Sequence, residues 1–302
     1  MVYVFLISYF LFRHMPELPE VETIKRGLAK SVVGKTISDF DCDWKKMINK
    51  SLVEYKKILK GLKIIAVRRR AKMLILDLTK DWHFLIHLKM TGQLVYASKV
   101  KCVVGGHPIE AGYQCLPNKF THAVISFTDK SHLYFNDIRK FGWIRLFSTA
   151  QLAKALEDIK LGVEPLSPKF TVKYLKTWIQ KRPHNQIKKF LMDSSVVVGV
   201  GNIYSDEVCF YARVKPTRKV KDLTAKEIDL IYKGIRSILE ASIKAQGTTF
   251  RDFRKADGEA GGYSQKLKVY GKYGQKCPIC GGKIERIKMG GRSSSYCPKC
   301  QK

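Results

Sequence analysis

Met15-Pro16-Glu17-Leu18-Pro19-Glu20-Val21-Glu22 is the stretch from which the organisation of the whole chain follows. Beyond Pro19 the apolar residues Val21, Ile24 and Leu28 fall on one helical face. Glu20 and Glu22 lie near the positive start of that pattern, and Lys25, Arg26 and Lys30 lie toward its negative end. The pattern predicts a short buried helix that holds the residues before it in place. Those residues make chemical sense only at the beginning of a mature chain. If synthesis began at Met15 and that methionine were trimmed, Pro16 would expose a secondary amine beside the carboxylates of Glu17 and Glu20. Such an amine attacks a sugar aldehyde carbon and forms an imine. An internal Pro16 has only an amide nitrogen with no basic lone pair, so the chemistry depends on where the working chain starts.

Upstream, residues 1–14 are almost wholly apolar but too short to span a bilayer as a helix. A secretory signal carries its positive charge before the apolar run and a small-residue cleavage site after it, whereas here Arg13 and His14 follow the run. The expectation is an extension ahead of the true start, absent from the working protein. A membrane-tethering or targeting segment is the alternative.

Downstream, strand-like runs cover 63–67, 73–78, 84–88, 123–127, 132–135 and 143–147. Turn signals such as Thr79-Lys80-Asp81 and Thr128-Asp129-Lys130 separate them, which favours antiparallel hairpins over βαβ units. Residues 15–150 are therefore expected to form a two-layer β-sandwich carrying the amino-terminal helix, interrupted by an irregular loop from Cys102 to Lys119. From Ala150 the pattern turns helical. Its clearest helix starts at the capping box Thr224-Ala225-Lys226-Glu227, presents Ile228, Ile231, Ile235 and Ile238 on one face, and stops at Gly247. The fold class expected is α+β and multidomain.

The 302 residues hold 56 Lys plus Arg against 26 Asp plus Glu, a formal charge of +30. A balance that basic points to a polyanion, most commonly nucleic acid, without choosing DNA over RNA. Of eight cysteines, Cys42, Cys102, Cys115 and Cys209 are scattered, as ordinary thiols in a reducing compartment are, with a disulfide pair as the alternative. The other four form Cys277-Pro-Ile-Cys280 and Cys297-Pro-Lys-Cys300, with sixteen residues between. Two paired-thiolate knuckles at this spacing predict one structural Zn2+ with no ligand position left open for catalytic water. An iron-sulfur cluster or a redox dithiol pair are the alternatives. Between the knuckles, residues 289–296 would form a hairpin tip that carries Arg292.

Four further stretches carry chemistry. Arg68-Arg69-Arg70-Ala71-Lys72 gathers charge at a strand entrance, although a basic run alone is usually a solvated loop. His87-Leu88-Lys89-Met90-Thr91-Gly92 ends a strand and Asp137-Ile138-Arg139-Lys140-Phe141-Gly142 begins another. Met90 and Phe141 there are apolar wedges of the kind pushed into a base step, and an Arg can fill the space a flipped base leaves. By themselves they could equally cap the sandwich core. Gly199-Val200-Gly201-Asn202, downstream of Ile187-Lys188-Lys189, is a Gly-x-Gly turn before a helix start, where free N–H groups can face a phosphate; as a bare pattern it is weak. The fourth stretch runs from Gly247 through Phe253 and from Asp257 to Gln265, and is rich in glycine.

Together these stretches resemble, in order from Pro16 to Gln301, the formamidopyrimidine-DNA glycosylase family, in its oxidised-purine branch. The resemblance implies a base-excision-repair DNA glycosylase and AP lyase that removes 8-oxoguanine and formamidopyrimidines through an imine with the terminal proline, followed by β,δ-elimination. It implies Pro16 as nucleophile, Glu17 for proton transfers, Glu20 for ordering the terminus and Lys72 for gripping a phosphate beside the lesion. Met90, Arg139 and Phe141 would be the intercalating triad, Asn202 and Lys188 would bind DNA backbone, and Arg292 would be the finger arginine. Cys277, Cys280, Cys297 and Cys300 would hold the zinc. The stretch 247–265 is similar to the loop that closes over a flipped purine. The implied organisation is 1–14 as extension, 15–150 as catalytic sandwich, 151–265 as helix-two-turn-helix unit and 266–302 as zinc finger. The partner expected is double-stranded DNA containing oxidised bases, engaged by a monomer in the cytoplasm, at the nucleoid in a bacterium, without a membrane. A catalytically silent DNA-binding protein on the same scaffold, an endonuclease VIII-like enzyme for oxidised pyrimidines and an RNA or ribosome binder with a zinc ribbon are the competing readings.

Overall fold

The computed structural model describes residues 15–99, 102–106, 116–248 and 262–302. Helix α1 (Leu18–Val32) forms where the apolar spacing places it, with Pro19 in its first turn, where a missing N–H is harmless. It buries Val21, Ile24, Leu28 and Val32.

Among the described residues, nine strands and one short α-helix follow and make two antiparallel layers. Five strands pair in the order β1 (Ile37–Cys42), β7 (Thr121–Phe127), β8 (His132–Asp137), β5 (Gly92–Ala97) and β6 (Cys102–Gly106). Four more pair in the order β2 (Ile64–Arg70), β3 (Met73–Leu78), β4 (Trp82–His87) and β9 (Trp143–Ser148). Helix α2 (Leu52–Leu59), capped by the Ser51 hydroxyl and Glu54, covers one end. Phe40, Leu94 and Phe135 of one sheet meet Leu76, Phe84 and Ile144 of the other in one buried core.

The hairpins and the sandwich agree with the alternation in the sequence, and three strands are additional to it. In β1 a bulge between Ile37 and Asp39 breaks the two-residue period. β5 opens on a glycine and buries the polar Gln93, whose carbonyl accepts from Asn136. β6 falls inside the segment expected to be irregular. Its Gly105 is required by packing, because a Cβ there would lie 2.8 Å from Ile24. Residues 107–115 of that segment lie outside the described residues, as do residues 1–14 and 249–261. Asp137–Gly142 is also placed differently: Asp137 ends β8, and the residues after it form the turn into β9.

Among the described residues five α-helices follow. α3 (Thr149–Asp158) packs against β4 and β9. α4 (Val172–Lys181), α5 (Ile187–Leu191), α6 (Asn202–Tyr211) and α7 (Ala225–Lys244) enclose a second core around Phe190, Val197, Ile203, Ile231, Ile235 and Leu239. α7 has the expected capping box, with Thr224 and Glu227 bonded to each other's backbone N–H. The hairpin β10 (Glu285–Met289) and β11 (Arg292–Tyr296) closes the chain, turning at Gly290 and Gly291, both at positive φ. Among the described residues no helix is long and apolar enough to cross a membrane.

Candidate active site and nucleic-acid interface

The segment leading into α1 is docked against the start of α6. Glu17 is 3% exposed, and its carboxylate accepts N–H groups from Gly201 at 2.6 Å, Ile203 at 2.9 Å and Tyr204 at 3.5 Å. The N–H groups expected to face a phosphate are therefore largely taken by a carboxylate of the chain itself. A helix start satisfies an internal anion as readily as an external one. The two glycines of Gly199-Val200-Gly201 make this docking sterically possible. A Cβ at Gly201 would lie 2.3 to 2.7 Å from the Glu17 carboxyl, and one at Gly199, where φ is +85°, would lie 2.4 Å from Leu18.

Burial pushes the Glu17 carboxyl up to about 7; the Lys72 ammonium and the backbone donors pull it down, and Glu20 adds to the rise. Lys72, in the turn between β2 and β3, donates to the Val200 carbonyl at 3.3 Å. Burial lowers its pKa, Glu17 opposes the fall, and Arg292 at the hairpin tip adds to it. Lys72 and Arg292, distant in sequence, thus face one electrostatic centre beside Pro16. Arg68, Arg69 and Arg70 do not: Arg68 pairs with Asp77, Arg69 with Glu22 and Glu164, and Arg70 with Glu164.

Glu20 orders this terminus. One of its oxygens accepts the Glu17 N–H at 3.0 Å. The other accepts the Tyr204 hydroxyl at 2.6 Å and the Thr248 N–H and hydroxyl at 2.8 and 2.9 Å. Tyr204, held well above its ordinary pKa by burial, stays a phenol and shares its hydroxyl with Ser242. The N-terminal segment, α6 and the end of α7 meet on this one carboxylate. Of the stretch 247–265 expected to close over the base, residues 249–261 lie outside the described residues.

Met90, Arg139 and Phe141 converge. The Arg139 guanidinium lies 3.1 Å from the Met90 sulfur and 4.7 Å from the centre of the Phe141 ring, which is 52% exposed. An aromatic that exposed is not capping the core. Beneath them lies Asp137, to which no motif assigns a role. Fully buried, it accepts the Thr91 hydroxyl, the Arg139 N–H at 3.0 Å and the Gly142 N–H at 2.6 Å. It ties the turn carrying Met90 to the turn carrying Arg139 and Phe141. A short carboxylate at the start of a basic turn carries no sequence signal that separates this role from an ordinary Asx turn.

Asn202, the first residue of α6, lies 3.4 Å from the Tyr270 hydroxyl, and its Oδ1 is buried without a partner among the described residues. Lys188 corrects the expectation placed on it. Its side chain is 2% exposed, its ammonium pairs with Asp206 at 2.7 Å and donates to the Ser293 carbonyl, and no face of it is open to DNA. Asp206 also accepts the Ser294 hydroxyl and the Ser295 N–H. The pair pins β11 to the helices, because a desolvated ammonium is tolerable only against a carboxylate. The exposed neighbour, Lys189, lies against the hairpin tip, where a Cβ on Gly290 would be 3.4 Å from its Cε.

The Sγ atoms of Cys277, Cys280, Cys297 and Cys300 all lie within 4.8 Å of one another. The 277–300 and 280–297 separations are 3.8 and 3.5 Å. A tetrahedron with Zn–S near 2.3 Å has edges of about 3.8 Å, so the four thiolates fit one structural Zn2+. The Gln301 side chain accepts the Cys297 N–H and donates to the Val214 carbonyl, which stitches the knuckle to the helices.

A basic β-sandwich and a helical unit with a glycine turn meet at one buried carboxylate pair, and a four-cysteine hairpin is pinned to the same helices, an assembly of the kind found in base-excision DNA glycosylases. Comparison with known proteins makes this specific. The formamidopyrimidine-DNA glycosylase N-terminal domain matches residues 15–144, the H2TH domain of the same enzymes matches 161–254, and the zinc finger found in FPG and IleRS matches 274–302. The formamidopyrimidine-DNA glycosylase of Pelotomaculum thermopropionicum is 41% identical over 290 residues, covering 95% of this chain and 99% of its own. Two Lactococcus lactis Fpg structures, a variant with Fapy-dG containing DNA and the enzyme with abasic-site DNA, match with TM-scores of 0.85 and 0.84. Each is 33% identical and covers 95% of this chain and 100% or 99% of its own. The chain belongs to the formamidopyrimidine-DNA glycosylase family.

Proposed function

We infer that this protein is a base-excision-repair glycosylase and AP lyase acting on oxidised purines in double-stranded DNA, with Pro16 as its nucleophile. The observation that carries the reading is Glu17: a fully buried carboxyl, held near neutrality, one residue from Pro16 and within the field of Lys72. At pH 7 such a group is populated as acid and as base, which is what shuttling protons at a sugar requires.

DNA drawn to the +30 chain is kinked, and Met90, Arg139 and Phe141 fill the stack as the damaged purine leaves it. Lys72, Arg292 and Asn202 hold the flanking phosphates. The Pro16 amine attacks the sugar C1′ as the glycosidic bond breaks and the base departs with a proton; the C1′–O4′ bond then opens, O4′ taking a proton, and the resulting iminium makes the C2′ proton acidic. Glu17 handles these protons while Glu20 keeps the terminus in place. β-Elimination and then δ-elimination release the strand on both sides of the sugar. Zinc supplies no chemistry here; bound by the four cysteines it fixes the hairpin, and the Lys188–Asp206 pair holds that hairpin to the helices.

Residues 15–150, 151–265 and 266–302 act as catalytic sandwich, helix-two-turn-helix unit and zinc finger in this account, and the work is done in the cytoplasm at the nucleoid. Residues 1–14 are absent from the working enzyme, a reading supported by the family match beginning at residue 15. The test is incubation with a duplex carrying a single 8-oxoguanine. Release of the base with a one-nucleotide gap bearing phosphate at both ends is expected. Tight binding of the duplex with no strand cleavage by a chain that begins at Pro16 would favour the silent binder instead.

A further inference from the structure

Beside the wedge is a second cluster that the mechanism above does not use. Trp44, between β1 and α2, packs its half-buried ring on the edge of the sandwich core. The Lys140 ammonium stands 4.7 Å from the centre of that ring and the Lys46 ammonium 5.9 Å. Lys140 sits between Arg139 and Phe141 at a positive φ, so Trp44 fixes the outer side of the wedge turn. On the adjoining strand start the Lys119 ammonium lies 5.2 Å from the Phe120 ring, and the Phe120 carbonyl accepts the N–H of Asp137, the clamp beneath the wedge. Lys45, Lys46, Lys119 and Lys140 are all exposed. The acid next to Trp44 in the chain, Asp43, is engaged by the His122 ring at 2.9 Å.

Ammonium groups seated on aromatic faces are held in place without being neutralised, so their charge stays available to an anion, unlike that of Arg68 or Lys188. We propose that this face, Trp44 with Lys46 and Lys140 and Phe120 with Lys119, binds the phosphates of the duplex flanking the wedge and braces the wedge turn when Phe141 and Arg139 enter the stack. The proposal rests on the reading that the wedge enters DNA, and it extends the DNA-binding surface to a part of the sandwich remote in sequence from that motif.

The test is equilibrium binding of the zinc-loaded protein to a duplex carrying an abasic-site analogue, followed by anisotropy over a series of salt concentrations. Lys46→Gln with Lys119→Gln is expected to lower the slope of log K against log[salt] by about 2, at about 0.9 for each phosphate no longer neutralised. Trp44→Leu, which keeps the apolar packing, is expected to weaken binding about fivefold. Lys221→Gln with Lys226→Gln, at the amino-terminal end of α7, the end of that 20-residue helix away from Thr248, controls for net charge and is expected to leave the slope unchanged. Unchanged slope and affinity in the first two proteins, or an equal loss in the control, would overturn the proposal while leaving the glycosylase reading intact. A wild type that does not bind the duplex would overturn the reading beneath it.

Discussion

Glu17→Gln separates what the buried carboxyl contributes to chemistry from what it costs in stability. In the folded protein the Glu17 carboxyl sits at about 7 against an ordinary 4.5, a rise dominated by burial. A raised carboxyl pKa means that between these two values the folded state binds more protons than the unfolded one, so stability falls as pH rises through the window. With 1.36 kcal/mol per unit, the carboxylate lowers stability by about 3 kcal/mol at pH 8 and by about 1 kcal/mol at pH 5. A glutamine has no such dependence. It does turn an N–H toward one of the donors from Gly201 or Ile203, an offset of about 1–3 kcal/mol that is the same at every pH. The prediction therefore concerns the slope: the unfolding free energy of Glu17→Gln minus that of wild type rises by about 2–3 kcal/mol from pH 5 to pH 8. Urea unfolding of both proteins at several pH values checks it, beside single-turnover excision, which the variant should lose by at least about a hundredfold. A difference that stays flat with pH would refute the burial argument, and a variant that keeps wild-type excision would remove Glu17 from the chemistry.

Three other perturbations address the supports of the site. Gly201→Ala drives a Cβ into the Glu17 carboxyl. Base excision should fall at least about tenfold while affinity for abasic-analogue duplex stays near wild type, as gel-shift titration beside single-turnover rates would show. Lys188→Met strands Asp206 in the interior and is expected to cost about 3–5 kcal/mol, most of it recovered when Asp206→Asn is added, by thermal unfolding of the two proteins. Removing zinc with a chelator, or Cys297→Ser, should abolish tight DNA binding while near-ultraviolet circular dichroism retains the aromatic signal of the sandwich around Phe40, Tyr55 and Phe84.

The zinc hairpin was legible because tetrahedral coordination constrains ligand type and spacing together, and both are written locally in two short knuckles. The grouping of Met90, Arg139 and Phe141 comes from the resemblance, since apolar residues at strand ends could by themselves cap the core; the structure brings the three together and leaves the Phe141 ring exposed. Lys188 is buried although its sequence neighbours are those of a solvated basic pair. Its burial is decided by Asp206, which arrives from the next helix, and by Ser293, which arrives from a hairpin more than a hundred residues on. Asp137 and Trp44 were missed on the same grounds: each acts through a turn or strand that sequence distance hides. Glu17 lay between these cases. The role proposed for it follows from its neighbour Pro16, whereas its burial and its hold on α6 depend on Gly201 beneath it. β1 and β6 escaped because a bulge and a glycine packed under Ile24 remove the alternation by which strands are recognised.

The central claim is that a free Pro16 amine forms the covalent intermediate, and borohydride trapping on 8-oxoguanine duplex followed by mass mapping of the adduct tests it most directly. The account predicts a protein–DNA adduct in which the chain begins at Pro16 and the reduced sugar is attached to the Pro16 nitrogen. An adduct on Lys72, or one formed by a chain that still carries residues 1–14, would contradict it.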